Sequence, residues 1–415
     1  MSALSLFALI TLAILLQVAV FLGYRFSRHW QRYRQLEDAA QETAVDTAIP
    51  TAEKVSPPPG AWRDTRKFRV AERVVESPDG SVCSFHLTPE DGLPLPAFLP
   101  GQFLTFELDM PEGGKLIRCY SLSDTPRADR YRVSIKRLPA PPGRGLLPPG
   151  RSSTHFHDRV AVGSTLNVRA PAGHFYIGPE AAPVVLIAGG IGITPLMSML
   201  EWCLENQPER EVWLFYGVRN GRELAMRERL ESQASRYANF HLQFCFSDPL
   251  PEETAGRDFH HAGRVSLDLL RMLLPLKPYH FYICGPGPMM AAMVAGLEDW
   301  GVPDARIHFE AFGPASFKRR QPTSATEAPD PDIVVTFARS GVQVPWRPGA
   351  GSLLDFAEQE GINVDSSCRG GACGTCRTTL SAGEVVYHQP PDYDPEPGTC
   401  LLCVCTPKTN VTLEA

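Results

Sequence analysis

The sequence predicts a multi-domain chain: an antiparallel β-barrel, then an α/β domain built on a parallel sheet, then a small domain organised by a cysteine loop. Three observations carry this. Short apolar–polar alternations broken by Gly and Pro recur between Phe68 and Arg169. The continuous apolar run Pro183–Ala188 enters a glycine turn and a helical pattern, and strand and helix patterns alternate after it. Near the end, Cys368, Cys373 and Cys376 form a C-x4-C-x2-C run. At 415 residues the chain exceeds one ordinary core. Its net charge of −6 gives no reason to expect a nucleic-acid partner.

The chain opens with an uncharged run, Ala3–Gly23. About 21 residues at ~1.5 Å each reach the ~30 Å of a bilayer's hydrocarbon core. Arg25, Arg28, Arg32 and Arg34 follow it with Tyr24 and Trp30, and no charge precedes it. The expectation is one N-terminal transmembrane helix over residues 1–24, with the remainder in the cytoplasm and the cytoplasmic (inner) membrane as location. A cleaved signal peptide is the alternative, but charge before the run and a small-residue cleavage site are lacking. Residues 25–63 are polar and Pro/Ala-rich, a cytoplasmic linker.

Residues 64–178 hold the barrel strands. Among them lie Arg118-Cys-Tyr120-Ser121, Pro100-Gly-Gln-Phe103, Ser134-Ile135-Lys136-Arg137, Gly150-Arg-Ser152-Ser153 and Ala170–Phe175. In that order and spacing they resemble the flavin domain of the ferredoxin reductase superfamily. The resemblance implies that Arg118 meets a flavin phosphate, Tyr120 lies on the ring system and Ser121 reaches its reactive nitrogen. It adds Phe103, Ile135, Lys136, Gly150, Ser152 and Ser153 to the binding set, and FAD rather than FMN as cofactor. The chemistry suits these roles: guanidinium forks onto phosphate, and a helix start with serine hydroxyls receives an anion. Ser152 departs from the family's usual aliphatic residue, and Pro139–Pro149 is a proline-rich insertion.

Residues 179–316 hold the nucleotide domain. Gly189-Gly190-Ile-Gly192-Ile-Thr194-Pro195 follows the first buried strand, a strand–turn–helix phosphate site. A charged helix is expected from Arg222. The last strand ends in Cys284-Gly285-Pro286-Gly287-Pro288-Met289, which resembles the same family's second nicotinamide signature. The resemblance places Cys284, Gly285 and Pro286 at the nicotinamide of NADH or NADPH. For Cys284 alone, a buried inert thiol is the competing reading. Arg219 fits a 2′-phosphate or a solvated loop charge equally. His308–Gly313 resembles the segment closing over the flavin, with Glu310 and Phe312 as site residues. Ser121, Cys284 and Glu310 form the implied catalytic set.

Residues 317–331 read as a linker, and 332–415 as the third domain. The C-x4-C-x2-C spacing is that of a plant-type [2Fe–2S] cluster. Zinc, which takes paired C-x2-C units or histidines, and a disulfide suit it less. Of the 11 cysteines, six lie between Cys368 and Cys405 and the other five, Cys83, Cys119, Cys203, Cys245 and Cys284, are scattered, which fits a reducing compartment. A hairpin and a Ser352-capped helix ending at Gly361 precede the loop, and the whole resembles the β-grasp ferredoxin domain. Cys400, Cys403 and Cys405 are candidates for the fourth ligand. The family's proline four residues on selects Cys403 through Pro407, with Cys405 as the fallback on the same strand face. Arg369 and Ser366 are expected to tune or shield the cluster.

From residue 64 onward the chain thus resembles the reductase components of oxygenase and desaturase systems. That implies an NAD(P)H:acceptor oxidoreductase with FAD and a [2Fe–2S] cluster, passing electrons to a partner oxygenase or desaturase. Electron transfer to quinone or a respiratory complex is the alternative, and a non-catalytic redox sensor is a third.

Overall fold

The computed structural model describes residues 62, 64–140, 148–312, 333–347, 349–371, 373–388, 391, 393 and 395–415. Among the described residues no helix is long and apolar enough to cross a membrane. The apolar run Ala3–Gly23, with the anchor expected there, lies outside them.

The first domain is a six-stranded antiparallel barrel of β1 (Arg66–Val75), β2 (Val82–Pro89), β3 (Phe103–Asp109), β4 (Lys115–Ser121), β5 (Tyr131–Lys136) and β6 (Thr165–Val168), in the order β4-β3-β6-β1-β2-β5. A bridge between Leu122 and Val133 joins the two edges. Alternation puts Phe68, Val70, Phe85, Phe106 and Val133 inside, all fully buried. Helix α1 (Arg151–Arg159) covers one mouth, sending Phe156 against Phe85, Phe106 and Tyr120. The Arg-Cys-Tyr-Ser motif lies within β4. The turn is at Gly113–Gly114, both at positive φ, and β4 pairs with β3 along its whole length.

The second domain is a parallel sheet of β7 (Val184–Gly189), β8 (Val212–Val218), β9 (Phe240–Phe246), β10 (His261–Ala262), β11 (His280–Cys284) and β12 (Ile307–Glu310), in the order β10-β9-β8-β7-β11-β12. Helices α2 (Ile193–Asn206), α3 (Arg227–Arg236), α4 (Leu267–Leu273) and α5 (Gly287–Asp299) cover it. The order reverses between β7 and β11, so the loops after these strands diverge and leave a crevice at their carboxyl ends. The charged helix begins at Arg227, not Arg222. A short 3₁₀ turn occupies Gly221–Glu223, and Met226, at φ 61°, stops the helix from extending further back.

The third domain combines β13 (Val334–Phe337), β14 (Val342–Pro345), α6 (Leu353–Gln359), β15 (Arg377–Ala382), β16 (Val385–Tyr387), β17 (Thr399–Leu401), β18 (Cys405–Pro407) and β19 (Val411–Leu413). Its mixed sheet runs β14-β13-β19-β15-β17, with β13 and β19 parallel, and β16 pairs with β18. Ser352 and Asp355 form a reciprocal capping box at the start of α6. The core of this domain contains only its own residues, among them Val335, Phe337, Phe356 and Leu402. By contrast, Val82, Phe175 and Ile177 of the barrel pack into the same cluster as Leu186, Met199 and Tyr282 of the nucleotide domain.

Candidate redox centre

The cysteine loop lies between α6 and β15. Cys376 and Cys403 Sγ are 3.1 Å apart, and Cys368 lies within hydrogen-bond reach of both Cys373 and Cys403. The four thiols are thus linked as neighbours, Cys376 to Cys403, Cys403 to Cys368 and Cys368 to Cys373. The backbone N–H groups of Gly370 and Cys373 donate to Cys368 Sγ at 3.4 and 3.3 Å, and Thr375 Oγ1 donates to Cys373 Sγ at 3.1 Å. Such donors stabilise thiolate. Bonds from Cys119, Cys373 and Cys403 hold Cys368 far below the ordinary thiol range, and Cys403 lowers Cys376. Cys373 and Cys403 are correspondingly raised, since each crowded pair shares a proton. These thiol donors would hold a [2Fe–2S] cluster, whose positive irons would relieve that crowding.

The fallback ligand Cys405 turns away. It is buried and hydrogen-bonded to Cys400, because the 3₁₀ turn Leu402–Val404 rotates Cys403 out of line with its neighbours. Arg369 is held by acidic partners. Its guanidinium pairs with Glu358 and Asp355 on the flank of α6 rather than reaching inward. Ser367, next to Ser366, approaches the barrel, its Oγ 3.8 Å from Cys119 Sγ.

On the barrel, Tyr120 OH and Ser152 Oγ are 2.8 Å apart, so the unusual serine of α1 fixes the motif tyrosine. Burial pushes the Tyr120 phenol up to about 12. Ser153 Oγ donates to the Gly150 carbonyl and accepts from Leu138 N–H, shaping the helix start. Arg118 donates to the Ile117 carbonyl at 2.7 Å. Phe103 is buried beside Gly173, and the Ile135 carbonyl is 2.9 Å from His157 Nε2. Lys136 reaches across the crevice to Glu223 at 3.1 Å.

In the nucleotide domain, Gly190 adopts φ 52° and starts the 3₁₀ turn that leads into α2. A methyl on Gly192 would collide with the Cys284 carbonyl and stand 2.8 Å from Gly285 N, and one on Gly189 would stand 2.7 Å from Pro286. The two glycine motifs therefore abut. Thr194 Oγ1 donates to the Ile191 carbonyl, and Pro195 is buried in the first turn of α2. Arg219 is bound to Glu223, its Nε 2.5 Å from Oε1.

Cys284 and Glu310 end the adjacent parallel strands β11 and β12 in direct register. Ser121 Oγ donates to Glu310 Oε2 at 3.4 Å, joining the barrel to the sheet. Burial pushes Glu310 up to about 8, with Ser121 lowering it and Cys368 raising it further. Burial, then Glu310, raises Cys284. The implied catalytic set is thus brought together. Phe312 lies apart from the core, 44% exposed.

Comparison with known proteins agrees with this arrangement. Residues 67–177 match the oxidoreductase FAD-binding domain, 186–295 the oxidoreductase NAD-binding domain, and 335–408 the 2Fe-2S iron-sulfur cluster binding domain. A flavohemoprotein of Halalkalibacterium halodurans is 36% identical over 69% of this chain and 69% of its own length. The chain belongs to the ferredoxin reductase superfamily. This reductase spans 63% of a Rhizobium meliloti flavohemoprotein at 40% identity. Its fold resembles the FAD/NAD-binding domain of a nitric oxide dioxygenase from Vibrio cholerae, with a TM-score of 0.54 and 34% identity over 61% of this chain and all of that one. It also resembles phthalate dioxygenase reductase, with a TM-score of 0.50 and 27% identity over 85% of this chain and 98% of that one. The three matched domains together are those of an NAD(P)H-dependent oxidoreductase with FAD and a [2Fe–2S] cluster.

One residue missed by the sequence reading stands out. Cys119, between Arg118 and Tyr120, lies within hydrogen-bond reach of Cys368 and Cys373. Its partners are some 250 residues away, and no local pattern marks it.

Proposed function

We propose that the reductase takes hydride from NADH or NADPH and delivers single electrons to a partner oxygenase or desaturase component, while held at the cytoplasmic membrane by Ala3–Gly23. The observation that carries the reading is the meeting of Ser121, Glu310, Cys284 and the Cys368 loop at one place. When bound, FAD accepts a two-electron hydride and releases electrons singly, and a [2Fe–2S] cluster carries one at a time.

The chain's own residues supply position and polarity. Arg118, Lys136, Gly150 and Ser153 form the phosphate side, and Tyr120 is held by Ser152. The Gly190–Pro195 turn, with Arg219 at its side, faces the Cys284–Pro286 turn across the switch-point crevice, where a nicotinamide dinucleotide fits. Ser121 and Glu310 hold a proton at the junction, and Cys368, Cys373, Cys376 and Cys403 hold the cluster. Phe312 is free to cover the site. Phthalate dioxygenase reductase, a modular structure for electron transfer from pyridine nucleotides to [2Fe–2S], aligns with 85% of this chain and supports an oxygenase-type acceptor.

The test is an anaerobic absorbance titration with NADH and, separately, NADPH. Flavin bleaching followed by loss of cluster absorbance is expected. No bleaching with either nucleotide refutes the reading. Deleting residues 1–24 is expected to move the protein from the membrane fraction to the soluble one. Turnover with quinone in membranes lacking any oxygenase would favour a respiratory role instead.

A further inference from the structure

Cys119 sits in the middle of the flavin motif, on β4, yet its sulfur faces the third domain. Its Sγ is 3.8 Å from Ser367 Oγ and within hydrogen-bond reach of Cys368 and Cys373. Behind it, Thr105 Oγ1 on β3 is 3.3 Å away, opposite Cys119 in the strand register. The same seam is closed by Arg169, which follows β6 and donates from Nη1 to the Cys373 carbonyl at 2.9 Å. Arg169 is itself held by Glu107, whose Oε1 accepts from both Nε and Nη2. The contact is therefore built from two barrel strands and fixed in register.

Five thiols stand around a site that needs four. Cys368, Cys373, Cys376 and Cys403 share one short loop and the turn that follows β17, whereas Cys119 comes from another domain. A thiol with a hydroxyl behind it and thiolates in front can accept from Thr105 and donate its own proton forward. Hydrogen bonds to the sulfurs are among the determinants of an iron–sulfur potential.

We propose that Cys119 is a positioning residue between the two redox domains, donating an S–H···S hydrogen bond to the cluster ligands Cys368 and Cys373 and thereby raising the cluster's reduction potential. The proposal rests on the assignment of those four cysteines as cluster ligands. Cys119 makes the flavin barrel part of the cluster's environment, so the cluster accepts an electron more readily when the domains are docked.

The test uses the full-length holoprotein carrying Cys119→Ala, Cys119→Val or Cys119→Ser. Flavin and iron are quantified first, and the cluster potential is then measured by EPR-monitored redox titration. In Ala and Val the cluster's reduction equilibrium is expected to become about threefold less favourable, roughly 28 mV at 59 mV per tenfold for one electron. The EPR g-values are expected to shift with it. Ser, which keeps an O–H donor, should restore most of the difference. An unchanged potential in a loaded Ala or Val variant overturns the proposal. Loss of the cluster from all three variants with flavin retained also overturns it, since Cys119 is then a ligand. A wild-type protein with no [2Fe–2S] signal would instead defeat the ligand assignment itself.

Discussion

Arg169 of the barrel donates to the carbonyl oxygen of Cys373, a residue of the cluster loop, at 2.9 Å. The guanidinium stacks near the Tyr393 ring and is anchored by Glu107. Burial would raise the Glu107 carboxyl, but Arg169, then Lys115, outweigh it and hold it below the usual range. Losing a hydrogen bond from a charged donor costs about 1.5–3 kcal/mol. In Arg169→Met, reduction of flavin by NADH should proceed at the wild-type rate, while the later cluster phase slows about tenfold. Stopped-flow absorbance separates the two phases, and equal slowing of both would count against a docking role.

Gly192 leaves no room for a side chain against Cys284 and Gly285. Backbone, not a flexible side chain, is the obstacle, so Gly192→Ala must push the two nucleotide loops apart. The expected result is a KM for NADH raised at least tenfold, about 1.4 kcal/mol or more, with normal flavin content. Retention of wild-type KM would show that the loops tolerate separation.

Cys403 and Cys405 make a sharp comparison. Cys403→Ser should lose the visible absorbance and iron of the cluster, whereas Cys405→Ser should keep both and lose only a buried contact with Cys400. Iron analysis of the two purified variants decides it, and the reverse pattern would reassign the fourth ligand.

Glu223, in the 3₁₀ turn after β8, accepts from both Arg219 and Lys136, and on the proposed function it stands beside the nicotinamide dinucleotide. A carboxylate there repels a 2′-phosphate and keeps Arg219 occupied. NADH should therefore be preferred, and Glu223→Gln should raise kcat/KM for NADPH about tenfold. Steady-state assays with both nucleotides check this, and an NADPH preference in the wild type would contradict it.

Glu201 on α2 is buried with one carboxyl oxygen 3.6 Å from Arg132 of the barrel and the other against Arg229 of α3. Burial pushes it up to about 7, with Arg132 and Arg229 pulling the other way. A carboxyl raised above its unfolded value of 4.5 keeps its proton in the folded state. Its contribution is therefore complete below that value and is lost as pH rises through about 7. Urea midpoints taken between pH 4.5 and 7 should fall in the wild type and stay flatter in Glu201→Gln.

Much of this was legible locally. The glycine turns, Arg118-Cys-Tyr-Ser and the C-x4-C-x2-C run each perform their geometry within a few residues, so local pattern together with family resemblance pointed to them. Pro407 pointed to Cys403, and the 3₁₀ turn supplies the reason that Cys405 faces elsewhere. What failed to show depends on partners far along the chain. Cys119, Arg169 and the Arg132–Glu201 pair look like ordinary strand and helix residues until the domains dock. The start of α3 was misread because its limit is the left-handed backbone of Met226, which no residue preference signals.

The distribution of the apolar cores bears on how the molecule comes apart. The barrel and the nucleotide sheet share one hydrophobic cluster through Val82, Phe175 and Ile177, and they also share the buried Arg132–Glu201 pair. The cysteine-bearing domain keeps its own interior and meets the barrel through polar contacts. Calorimetry should accordingly record two heat-absorption peaks rather than one. The larger would belong to the barrel and the sheet melting as one cooperative block, sensitive to nucleotide. The smaller would follow iron content, so that chelation shifts it alone.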